Sequence, residues 1–174
     1  MSCHYGCVTT SDEDLIRLLR QLDDPEWLEW PRDFDGDEAE APFDRLRSRL
    51  EAAFGTGCPA QHGGQIQDSS EFGRIEVPEE ATVCGTRIIV SVSKFSPLAM
   101  VAADNPGAFL SAAEAQEEGE LDPGDLGKAL RSLAAVGYVA VPEELLQTRY
   151  DGDGRLLWSG NDEPTWWDRF FGFY

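Results

Sequence analysis

The middle of the chain constrains the fold most strongly, because its apolar residues recur with a period of two. Side chains alternate in this way over 88–93 (IIVSVS), and Ile75 and Val77 alternate with polar neighbours. This is the period of a β-strand. The apolar run 98–103 follows a Ser-Pro pair and predicts the next strand. Short connections between neighbouring strands favour a small antiparallel sheet, with its central strands at about 74–103.

Three segments with helical periodicity surround this region. The first, 11–23, opens with a capping serine followed by acidic residues. The second, 41–54, has Pro42 near its start, where proline is common in helices. The third, 122–136, opens on Asp-Pro and is followed by Gly137, a residue that often ends helices. Helices, then strands, then a further helix predict an α+β fold packed by three or more helices.

Aromatic residues are dense at the C-terminal end of the chain, where 165–174 reads TWWDRFFGFY. In a helix these side chains would cover two neighbouring faces, and both cannot easily be left in water. We therefore expect this segment to close the core. Between it and the third helix, the sequence DGDG at 151–154 predicts a hairpin turn that joins 148–150 to 155–158. The 174 residues fit a single compact α+β domain over 1–174.

The chain is strongly acidic, with 33 acidic and 14 basic residues and a formal net charge of −19. This charge argues against binding to nucleic acid or to an anionic membrane surface, since both need Lys and Arg. The sequence has no apolar run long enough to span a membrane and no pattern of a secretion signal. We therefore expect a soluble, cytoplasmic protein. Its 12 Arg against 2 Lys are typical of a GC-rich bacterial coding sequence.

The acidic residues concentrate in two segments that we predict to be loops, 23–40 and 114–125. The first holds nine acids and one base, and the second holds six acids and no base. Large aromatics within the first segment could anchor a partner. The predicted partner-binding residues are Trp27, Trp30, Asp33, Asp35, Asp37, Glu38, Glu117, Glu118 and Glu120.

A surface of this kind suits an inhibitor of a basic protein. A nuclease active site is basic because its substrate is anionic, so an acidic surface can occupy it and associate quickly. In general character, a small acidic chain without a catalytic motif resembles the immunity proteins that neutralise toxic nucleases, although the resemblance covers no specific motif. It implies a basic protein partner, no catalytic residue and no cofactor. We then expect the two acidic segments to converge on one face.

A metal site is a weaker alternative. Cys3, Cys7, Cys58 and His62 could together supply four tetrahedral zinc ligands, but neither pair has the tight C-x2-C spacing. The aspartates at 33, 35 and 37 match the start of a calcium-binding EF-hand loop, and the match then breaks where glycine is required. We therefore assign no metal.

Two other functions stay open. The chain could be a small enzyme of unrecognised type that uses carboxylates or a Cys58/His62 pair. It could also be a structural or regulatory domain whose acidity serves only solubility. Salt-sensitive binding to a basic partner would separate the inhibitor hypothesis from both.

Overall fold

Five strands form one mixed sheet in the order β1-β2-β3-β4-β5, in a computed structural model that describes residues 11–27, 29–63, 69–152 and 163–172. The first four strands pair antiparallel, and β5 runs parallel to β4. The bounds are β1 Ala60–His62, β2 Glu71–Val77, β3 Ile88–Ser93, β4 Leu98–Ala103 and β5 Val139–Ala140.

Six α-helices are present among the described residues, and they cover both faces of the sheet. α2, α3 and α4 pack on one face, while α1, α5 and α6 pack on the other. The α+β class is confirmed. The bounds are α1 Asp12–Leu22, α2 Gly36–Phe54, α3 Ala112–Glu117, α4 Pro123–Val136, α5 Glu143–Leu146 and α6 Trp166–Phe171.

Local capping explains where α1 and α4 begin and end. The Ser11 side chain accepts a hydrogen bond from the backbone N–H of Asp14, as its position before the acidic turn predicts. Asp122 caps α4 in the same manner, and Gly137 ends it with a φ of 97°. Glycine adopts this left-handed conformation without strain. The predicted bounds of both helices are confirmed.

The predicted start of α2 is wrong. This helix begins at Gly36, where Asp35 accepts hydrogen bonds from two backbone N–H groups of the first turn. Pro42 therefore lies inside the helix and not at its first turn, and residues 36–40 of the predicted loop 23–40 are helical. Pro42 has no backbone N–H to donate to the helix. Burial of the apolar face that follows the proline compensates for the missing hydrogen bond. The buried residues are Phe43, Leu46 and Leu50.

Other short elements were not predicted by the sequence. The sequence over 55–73 is Gly-rich, polar and aperiodic and predicts a loop, but the segment contains β1 and the start of β2. The expected loop 114–125 contains most of α3. The sheet is also not wholly antiparallel, because β5 follows the long connection through α3 and α4 and pairs parallel to β4. Such a crossover is what a parallel pair requires.

The C-terminal aromatic segment closes the core, as expected. α6 opens with a capping box between Thr165 and Asp168, and Trp166, Phe170 and Phe171 are buried. Residues 173 and 174, and the 153–158 part of the predicted hairpin, lie outside the described residues. Among the helices in the described ranges, none has the length and apolar character that crossing a bilayer requires.

Candidate functional site

A cleft of about 350 Å³ lies at the end of the sheet where β3 turns into β4. The start of α2, the 93–97 turn and the end of α4 form its walls. Its apolar surface comes mainly from aromatic and proline side chains, and its polar surface from three carboxylates and one ammonium group. The apolar residues include Phe34, Pro42, Phe72, Pro97 and Tyr138; the charged residues are Asp33, Asp35, Glu38 and Lys94.

The local sequence explains why these groups meet. The Asp35 cap starts α2 beside the cleft and brings the acidic first turn with it. At the opposite wall, Gly137 ends α4 and lets the chain turn into Tyr138. The two helices pack side by side on the same face of the sheet, so the first turn of one lies near the last turn of the other.

Two of the carboxylates are free to bind something else. One oxygen of Asp35 accepts the N–H groups of Asp37 and Glu38 at 2.9 and 3.3 Å. Within the described ranges, by contrast, the side chains of Asp33 and Glu38 have no hydrogen-bond or ion-pair partner. Both residues are exposed, so the cleft presents two unpaired negative groups to the solvent.

The helix dipole of α4 adds to this negative field. Val136 and Gly137, at the C-terminal end of the helix, line the cleft, and the last turn of α4 contains no basic residue. A helix C-terminus carries roughly half a negative charge, which favours a nearby cation. The N-terminus of α2 acts in the opposite sense, but its own first turn already holds Asp37 and Glu38.

One cation of the chain itself lies at the cleft. The Lys94 ammonium lies 5.2 Å from the centre of the Trp30 ring, within the range of a cation–π contact. Trp30 is 37% exposed, so this contact lies at the surface. On the far wall, burial raises the pKa of the Tyr138 phenol to about 12. Tyr138 therefore keeps its proton at neutral pH and can donate a hydrogen bond.

Trp27, the other predicted aromatic anchor, is 40% exposed. Its backbone carbonyl accepts a hydrogen bond from Arg169 of α6 at 3.2 Å, which fixes the chain just before Trp30. Four of the predicted residues precede α2 and two are in its first turn, and three of the six line the cleft. The four are Trp27, Trp30, Asp33 and Asp35, and the two are Asp37 and Glu38.

The second acidic segment lies elsewhere. Glu120 accepts a hydrogen bond from Thr86, in the connection between β2 and β3. That connection is at the opposite end of β3 from the cleft. Glu117 and Glu118 are exposed just before α4, whose 14 residues span about 21 Å. The two predicted acidic segments therefore lie at opposite ends of the sheet and do not form one continuous acidic surface.

The structure does not pair Cys58 with His62. Cys58 is fully buried, and burial raises the pKa of its thiol to about 11, so it remains protonated and is a poor nucleophile. The His62 ring packs on Phe43 and Phe72, at 5.1 and 5.8 Å between ring centres. Cys3 and Cys7 lie outside the described residues. Across the described ranges, no group of three or more His, Cys, Asp and Glu residues could hold a metal ion.

Comparison with protein-family models, with curated proteins and with solved structures finds no match to this chain. A function for the candidate site can therefore be inferred only from the geometry and chemistry of the cleft. Sequence reasoning found its carboxylates, with Phe34 between two of them, but missed Phe72, Lys94 and Tyr138 as members of the cleft. Long-range packing brings these three to the acidic segment, and no local pattern marks them.

Proposed function

We propose that this chain is an acidic protein-binding module of the inhibitor type, which neutralises a basic protein partner. A bacterial toxin nuclease is the kind of partner that fits this chemistry, because its active site must be basic. The observation that carries the proposal is the cleft, in which the unpaired carboxylates of Asp33 and Glu38 stand beside the negative end of α4.

The separation of the acidic segments limits the proposed binding surface to one of them. The expectation of one continuous acidic face fails, so Glu117, Glu118 and Glu120 are assigned no role in the same contact. The binding surface is instead the end of the sheet that carries the cleft, with Trp30 beside it through its contact with Lys94 and with Trp27 three residues earlier in the same segment. Half-exposed tryptophans next to charged groups are frequent energetic centres of protein interfaces.

Binding to a defined basic probe tests the proposal. We expect hexa-arginine peptide to bind in isothermal titration calorimetry, and to bind more weakly as NaCl rises from about 50 to about 500 mM. The double variant Asp33→Asn/Glu38→Gln should weaken binding by about tenfold, since each exposed charge pair contributes up to about 1 kcal/mol.

A matched control separates the cleft from the overall charge. The variant Glu117→Gln/Glu118→Gln removes the same two charges from the opposite end of the sheet. It should change the affinity by less than about twofold at 0.15 M salt, where charges more than about 8 Å apart are screened. Equal losses in both double variants would mean that the peptide senses only net charge, and the proposed surface would be wrong.

The inhibitor role itself has a genetic test. A gene beside this one that encodes a large secreted protein with a basic C-terminal domain would support it. Co-expression of that domain should then arrest growth without this chain and permit growth with it. Protection that persists in Asp33→Asn/Glu38→Gln would place the inhibitory contact elsewhere, and a neighbourhood of metabolic enzymes alone would argue against the inhibitor role.

A further inference from the structure

We infer that the cleft is a socket for a single arginine side chain of the partner, and that Lys94, which lines the same cleft, weakens the negative field that this arginine meets. The inference rests on the proposed function, and it names the group that the site recognises. Four features of the cleft lead to it: its size, its charge, its aromatic walls and the contact between Lys94 and Trp30.

The size of the cleft limits what can enter. At about 350 Å³ it is at the small end of the range for binding pockets, which runs from about 300 to about 1,000 Å³. A helix or strand of the partner has no room, whereas one long side chain and the backbone next to it fit. The bound group is therefore a side chain that projects from the partner.

The charge of the cleft selects a cation. Asp33 and Glu38 have unpaired carboxylates, and the α4 terminus contributes its negative end. The only basic residue in the described lining is Lys94. An anionic or neutral group would leave these carboxylates without compensation, whereas a guanidinium can bind a carboxylate through two parallel hydrogen bonds.

The aromatic walls favour arginine over lysine. Phe34 and Tyr138 are half-buried and line the cleft, and Phe34 packs edge to face at 6.0 Å on the buried ring of Phe72. A planar, weakly hydrated guanidinium stacks on such surfaces, while an ammonium group holds its water more strongly. The core of the protein contains a similar arrangement. The guanidinium carbon of Arg169 lies 4.4 Å from the centre of the Phe95 ring, and the same guanidinium donates a hydrogen bond to Asp23.

Lys94 competes with the arriving arginine for the negative field of the cleft. Its ammonium group lies over Trp30 and lines the cleft with the carboxylates. When an arginine enters, the Lys94 ammonium either stays near it and repels it or moves away from the carboxylates. Both outcomes lower the affinity of the cleft for arginine. Removal of the Lys94 charge should therefore tighten binding, whereas removal of a positive group far from the cleft should not.

Two peptides of equal charge test the inference. The probes are Ac-Gly-Gly-Arg-Gly-Gly-amide and its lysine counterpart, titrated into the full chain and followed by ¹H–¹⁵N NMR. We expect the arginine peptide to bind about 3- to 10-fold more tightly, the size of a partly desolvated cation–π contact. The shifted resonances should include Gly137 and Tyr138. Equal affinity for the two peptides would overturn the inference.

The variant Lys94→Met provides a second, independent readout. It should bind the arginine peptide about 2- to 5-fold more tightly, as expected when one exposed charge is removed. The control Arg17→Met, at an exposed position of α1 on the other face of the sheet, should change this affinity by less than about 1.5-fold because of screening. Unchanged or weaker binding in Lys94→Met would show that Lys94 does not compete for the socket.

The outcomes also distinguish this inference from the proposed function. If hexa-arginine binds with the expected salt and variant dependence but the two short peptides bind equally, only the arginine socket is wrong. If neither hexa-arginine nor the short peptides bind, the proposed function fails as well.

Discussion

At the scale of single residues, Arg169 is a buried charge that is paired with a carboxylate and with backbone carbonyls. Its side chain is fully buried, and its Nε donates to a carboxylate oxygen of Asp23 at 2.5 Å. Its Nη2 donates to the carbonyls of Asp24 and Trp27, at 2.9 and 3.2 Å. The second Asp23 oxygen accepts from the Tyr150 hydroxyl at 2.5 Å. This network joins the end of α1, the segment before the cleft and α6.

Loss of the Arg169 charge should strongly destabilise the fold. Arg169→Met leaves the Asp23 carboxylate buried without its cation, which typically costs about 3–5 kcal/mol. For a chain of this size, the expected fall in Tm is roughly 6–20 °C. Urea unfolding at pH 7 measures the change in free energy directly.

Two further variants control this experiment. Arg49→Met makes the same substitution at an exposed position of α2 and should change stability by less than about 0.5 kcal/mol. In Asp23→Asn/Arg169→Met no buried charge remains, so we expect this double variant to be more stable than Arg169→Met alone. A loss below about 1 kcal/mol in Arg169→Met would show that the buried pair contributes little.

At the scale of elements, β2 passes very close to its neighbours at Gly73. A Cβ atom there would lie 2.7 Å from both the Gln61 carbonyl oxygen and the His62 Cβ of β1, and 2.9 Å from the Phe43 ring of α2. The strand, its edge partner and the helix above it thus meet where no side chain fits. This explains why a glycine interrupts the apolar pattern of β2.

Gly73→Ala should therefore destabilise the protein by about 1–3 kcal/mol, the usual cost of forcing extra volume into a packed site. Gly57→Ala is the matched control, since a Cβ atom at Gly57 meets nothing within 4 Å and its backbone is not left-handed. We expect no loss, or a small gain, in that variant. Thermal unfolding followed by circular dichroism compares the two, and similar Tm values would contradict the role of Gly73.

The elements that sequence reasoning predicted are those with strong local signals. The period of two over 88–93 and the caps at Ser11 and Asp122 act within a few residues, and the structure confirms all three. The start of α2 was missed because two local signals compete there. Pro42 favours a helix start at that point, but the Asp35 cap and the burial of the apolar face begin the helix earlier.

Pairing and site membership depend on tertiary contacts, and for this reason they were less predictable. The parallel position of β5 depends on how α3 and α4 cross the sheet, which a strand of two residues cannot encode. The cleft likewise combines Asp33, Phe72, Lys94 and Tyr138, which are distant in sequence. The acidic residues were found because clusters of charge can be read directly from the sequence. The end of the sheet at which each acidic segment lies cannot be read in this way.

At the scale of the whole molecule, the net charge of −19 has two consequences with opposite signs. Like charges repel within the folded chain, which lowers its stability at low salt. The same charges attract a basic partner, which strengthens binding at low salt. A folded chain of 174 residues has a radius of gyration of about 16 Å, shorter than the Debye length of about 30 Å at 0.01 M salt. Under these conditions all parts of the surface interact.

Salt should therefore change stability and binding in opposite directions. Between about 10 and about 500 mM NaCl, we expect Tm to rise by a few degrees as repulsion is screened, while the affinity for hexa-arginine falls. Scanning calorimetry and titration calorimetry in the same buffers measure the two effects. The control Glu117→Gln/Glu118→Gln has less repulsion to screen, so its Tm should rise less. A Tm that falls with salt would mean that attraction in ion pairs outweighs the repulsion, although four of the ten pairs among the described residues are exposed on both sides and contribute little.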